Sequence, residues 1–136
     1  MKQTIEENGK DIEDKMIGFL TNQHFEVKEI SSQIFWLSES ENSNKEKLNE
    51  IKQNVYTEVS NEVDEETGKK VFSNKELRDV ETDRRLKLRE DVNEIESNLQ
   101  SIKEKKAEKY RELESLNLQG KNYRTILRYR GGIDES

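Results

Sequence analysis

With 136 residues, only 29% of them hydrophobic and 40% charged, the chain cannot fill an ordinary globular core. It is left with long helices sharing a narrow apolar seam, or disorder, and the absence of proline favours helices. The absence of cysteine excludes disulfides and thiolate metal sites. No stretch approaches the ~20 apolar residues of a membrane span, and the N-terminus has no signal-peptide core, so a cytoplasmic protein is expected. The formal charge of −6 is uneven: net −9 over residues 1–66 (7 Lys/Arg, 16 Asp/Glu) and +3 over residues 67–136 (17 and 14). This argues against a general nucleic-acid coat and suits two helices lying side by side.

In chain order, residues 1–10 read as a flexible start and 11–62 as a first helical arm. Along it Ile12, Met16, Phe19, Gln23, Val27, Ile30, Ile34 and Leu37 line one face, which Leu48, Ile51, Val55 and Val59 resume. The heptad frame passes between the two sets through Glu41 and Asn44, so the core is polar there. Two outcomes are open at residues 38–44: a break or kink, for which Ser43 and Glu46 form a capping-box pair, or a continuous helix with a hydrated patch.

Residues 63–73 contain the turn signal Thr67-Gly68, with Val71-Phe72 spaced to pair with Glu62-Val63 as a short β ribbon. Ser73 and Glu76 then read as a capping box, and Phe72 and Leu77 as a hydrophobic staple, opening a second arm over 74–130. Its seam is Leu88, Val92, Ile95, Leu99, Ile102, Lys106, Lys109, Leu113, Leu116, Gly120, Tyr123 and Leu127, in alternating steps of four and three. Residues 131–136 read as a frayed tail.

The fold expected is all-α: two long helices in an antiparallel coiled-coil hairpin, joined by the turn or ribbon and assembling into a dimer or higher bundle. If residue numbers across the pair sum to about 136, Leu37 lies near Leu99, Ile30 near Lys106 and Met16 near Gly120.

Chemistry is sparse. His24 is the only histidine, no second base is present to activate a hydroxyl, the carboxylates sit on charged helical faces, and no phosphate loop or EF-hand spacing occurs. An enzyme, a cofactor and a metal site are therefore not expected. The aromatic residues off the seam say more. At 100° per residue Phe25 and Trp36 fall on nearly one side, opposite Ile30 and Ile34, with Phe35 elsewhere again; a two-helix hairpin leaves all three exposed. They are candidates either for self-association or for docking a different protein. Tyr123, Arg124, Arg128, Tyr129 and Arg130 interleave cations with rings, the pattern that grips single-stranded nucleic acid. The simpler reading is that cations complement a helix C-terminus while Tyr123 continues the seam.

The run Tyr56-Thr57-Glu58-Val59, then Asp64, then Thr67-Gly68-Lys69-Lys70-Val71-Phe72-Ser73-Asn74-Lys75-Glu76-Leu77-Arg78 resembles short helical proteins of bacteriophages and prophages of low-GC Gram-positive bacteria. In that group a comparable Gly-Lys, aromatic, Ser-Asn stretch precedes a long charged helix, and the genes lie among replication and recombination functions. The resemblance covers roughly residues 51–130; the first 40 are peculiar to this chain. It implies an accessory protein in the host bacterial cytoplasm, acting on recombination or replication machinery or on a host defence complex, and it adds no catalytic residue. Two helices joined by a ribbon also share a shape with prefoldin, though the connection here is too short for prefoldin's platform. The reading is thus a non-catalytic, self-associating protein whose partners are itself and a host or phage protein, with no membrane. A nucleic-acid accessory and a virion scaffolding or structural coiled coil are the alternatives.

Overall fold

The computed structural model describes residues 2–135, with side chains described for residues 9–131. It is all-helical: α1 spans Lys2–Asn61, α2 Lys75–Lys87 and α3 Glu90–Glu135. No helix is long and apolar enough to cross a membrane among the described residues. Contacts divide the chain into a unit of residues 1–36 with 106–136 and a unit of residues 37–105.

In the second unit the core is Leu48, Val55, Val59, Leu86 and Val92, with Ile51, Phe72, Ile95 and Leu99 packed against it. Val59 is fully buried and Val55 nearly so. α1 is unbroken through residues 38–44, the continuous helix of the two alternatives. The polar stretch keeps the frame, and local bonds replace the missing apolar contacts: Asn44 Nδ2 donates to the Ser40 carbonyl (2.8 Å) and Lys45 pairs with Glu41 (3.3 Å). Helix also extends into both segments expected to be flexible ends, from Lys2 and on to Glu135, with Met1 and Ser136 outside the described residues. No proline interrupts either end, and glycine weakens a helix without forbidding it.

Between α1 and α2 the chain turns on Asp64, whose carboxylate accepts the N–H groups of Glu66 (2.8 Å) and Thr67 (3.4 Å). Gly68 takes φ +68°, the left-handed region its missing Cβ permits. The ribbon shrinks to one antiparallel bridge, Val63 with Lys70, one residue off the expected pairing. The α2 cap is Asn74, whose Oδ1 accepts the Leu77 N–H at 2.9 Å, and not Ser73. That one-residue shift dissolves the expected staple. Leu77 is 47% exposed, while Phe72 packs on the core with the Arg85 guanidinium 5.8 Å from its ring centre.

The second arm is two helices and not one. After Lys87 the Leu88 N–H reaches the Arg85 carbonyl (3.3 Å) and the Arg89 N–H the Leu86 carbonyl (3.2 Å), a tight 3₁₀-type turn. Arg89 then holds Asp91 at the start of α3 with two bonds of 3.0 and 2.8 Å. The turn corrects a phase error. Thr82 and Leu86 are buried in α2, and the next buried position is Val92, six residues on where a continuous heptad requires seven. Leu88, expected in the seam, is 72% exposed.

In the first unit α1 and α3 run in opposite directions. Phe19 meets Tyr123 and Glu13 meets Arg130, while Gln23 lies over Gly120. These pairs have residue numbers summing to 142 or 143 and not 136, so the register is one heptad away from that expected. Gly120 faces Gln23 in place of Met16.

An exposed aromatic surface as the candidate functional site

All three residues expected at a partner surface project from α1 in the first unit into solvent: Phe25 is 62% exposed, Phe35 56% and Trp36 67%. The seam rotates them outward, because Ile30 and Ile34 face α3 and a helix places neighbours 100° apart. The structure brings two of them together. Phe35 and Trp36 meet edge-to-face with ring centres 5.4 Å apart, and the Phe25 ring centre lies 3.8 Å from that of His24 with the planes tilted by 39°.

On α3 of the same unit Tyr110, Leu118 and Tyr129 are also outward, at 52%, 59% and 73%. A shallow, mostly apolar groove runs along that helix between Tyr110, Leu113, Leu118 and Lys121. Nothing in the pattern of α3 had singled out Tyr110 and Leu118. Both are legible once the seam is drawn, as large side chains lying off it.

The basic–aromatic segment is divided by the fold. Tyr123 packs edge-to-face on Phe19 at 5.1 Å and its hydroxyl accepts from Gln119 (2.8 Å). The Arg124 guanidinium donates to the Gln23 Oε1 (3.1 Å), and Arg130 pairs with Glu13 (3.1 Å). Arg128 and Tyr129 point to solvent. Three of the five residues therefore face α1.

The second unit carries the strongest electrostatics. Glu81 bonds Arg84 (2.6 and 2.9 Å) and Arg85 (2.9 Å), and Arg85 also reaches Glu62. Hydrogen bonds from Arg84, then Arg85, lower the Glu81 carboxyl from 4.5 to about 2. The Arg89 pairing likewise lowers Asp91. Arg78 donates to the Tyr56 hydroxyl (3.3 Å) and to the Phe72 carbonyl (3.4 Å), tying the turn to both helices. These groups form ion pairs and braces. Among the described residues no cluster of three or more His, Cys, Asp or Glu is placed to hold a metal ion.

Comparison with protein families, with curated proteins and with solved structures found no match.

Proposed function

We propose that this chain is a non-catalytic helical protein, an antiparallel coiled-coil hairpin that associates with further copies of itself and docks a partner protein through Phe25, Phe35 and Trp36. The observation that carries the reading is the exposure of those rings on a helix whose other face is already used. Large aromatics fixed in water off the seam are the usual mark of a protein contact. The resemblance of residues 51–130 supplies a setting, a phage accessory factor acting in a host bacterium on recombination or replication machinery or on a defence complex.

The single-stranded nucleic-acid reading is disfavoured because Tyr123, Arg124 and Arg130 are engaged within the unit. Sedimentation equilibrium over a range of concentrations tests the proposal. A mass above that of one chain, reduced in Phe35→Ser/Trp36→Ser, is expected. A monomer at every concentration refutes the self-association.

A further inference from the structure

A seam with a seven-residue repeat does not choose its own register. Within the first unit, sliding α1 by one heptad along α3 leaves that unit's seam residues still facing the seam, so its apolar burial alone discriminates poorly between neighbouring registers. In the first unit Phe19 with Tyr123 and Glu13 with Arg130 are half-buried contacts of the observed register, and one buried polar contact is specific to it. Gln23 is 6% exposed, yet both ends of its amide are satisfied: Nε2 donates to the Leu116 carbonyl (2.9 Å), and Oε1 accepts from Arg124 (3.1 Å).

The Leu116 carbonyl is the helical acceptor of the Gly120 N–H, and its second lone pair is reachable because residue 120 has no side chain. A Cβ there would stand 2.2 Å from Gln23 Nε2 and 2.5 Å from Oε1. The other glycines described within α1 and α3, Gly9, Gly18 and Gly131, have open space at that position.

We propose that Gln23, Gly120 and Arg124 form a register lock: a buried amide seated in a glycine notch and clamped by a guanidinium, which selects one of several pairings the apolar seam would accept. One heptad away, Gln23 would be level with Leu113, without Arg124, and the notch would be level with Met16. The slide amounts to about 10 Å along the helix, at 1.5 Å per residue. It would carry Phe35 and Trp36 past a different stretch of α3, so the lock also decides which residues flank the aromatic surface. The proposal rests on the pairing of α1 with α3 in this unit and not on what docks there.

Spin labels on Thr21→Cys and Ala107→Cys, exposed positions in an otherwise cysteine-free chain, read the register directly. Labelled protein is diluted in excess unlabelled chain so that only distances within one molecule count. The parent should give one narrow distance. Gln23→Leu, and Gln23→Leu/Gly120→Ala more strongly, should add a population displaced by about 10 Å; Arg124→Met should add a smaller one. An unchanged single distance in helical Gln23→Leu and in the double variant overturns the proposal. So does loss of the helical signal in Gln23→Leu itself, because a residue that only selects register is not required for folding.

Discussion

Replacing glycine by alanine inside a helix ordinarily stabilises it by about 0.5–1 kcal/mol. At Gly120 the sign should reverse. The new Cβ would occupy the place of the Gln23 amide, which is the mobile end of a side chain and can swing away, but only by giving up the Leu116 carbonyl and Arg124. A neutral buried hydrogen bond contributes about 1 kcal/mol and one to a charged group about 1.5–3 kcal/mol. Less the helical gain, and less some resolvation of the displaced amide, Gly120→Ala should destabilise by roughly 1–3 kcal/mol. In a Gln23→Ala background the obstruction is gone, and Gly120→Ala should stabilise by about 0.5–1 kcal/mol. Urea unfolding of the four proteins at one fixed concentration measures the cycle, since self-association would otherwise shift the midpoints. A coupling on the order of 2 kcal/mol or more is expected. If Gly120→Ala stabilises both backgrounds equally, the notch plays no part.

Two further perturbations test the second unit. Leu86→Ala should cost about 2–5 kcal/mol while Leu88→Ala stays within about 0.5 kcal/mol, because Leu86 lies in the core and Leu88 in solvent; the reverse order would place Leu88 back in the seam. Glu81 has a folded-state carboxyl lowered from 4.5 to about 2, so its contribution is fully present above pH 4.5 and is lost as pH falls towards 2. Thermal unfolding across that window should show a weaker acid destabilisation in Glu81→Gln, and identical pH profiles would contradict the pairing with Arg84 and Arg85.

Much of this architecture is legible in the sequence because a heptad seam is a local signal. Of the seam positions read from the second half, Val92 to Leu127 are all buried or half-buried, even Lys106 and Lys109, and so are Glu41 and Asn44 in the polar stretch of α1. Leu88 was misplaced by coincidence of spacing. It stands four residues before Val92, which fits the frame, but the 3₁₀ turn at 88–89 resets the phase, and nothing in the apolar pattern marks it. The register escaped for a deeper reason: slides of seven residues are equivalent to an apolar pattern, and what separates them is the fit of particular pairs, Gln23 into Gly120, Phe19 on Tyr123 and Glu13 with Arg130. Once the register is known, the roles of Tyr123, Arg124 and Arg130 follow, as each meets a residue about a hundred positions away. The exposure of Phe25, Phe35 and Trp36 needed only the wheel and was readable from the start.

Trp36 is the sole tryptophan, which makes the candidate surface report on itself. In a single chain Trp36 is 67% exposed and its indole should emit as a solvated ring. Raising the protein concentration through the association range should shift that emission to the blue and protect it from an aqueous quencher, with the change lost in Phe25→Ser/Phe35→Ser. Emission and quenching that stay those of a solvated indole at every concentration, while the mass rises, would place the contact between copies elsewhere on the molecule.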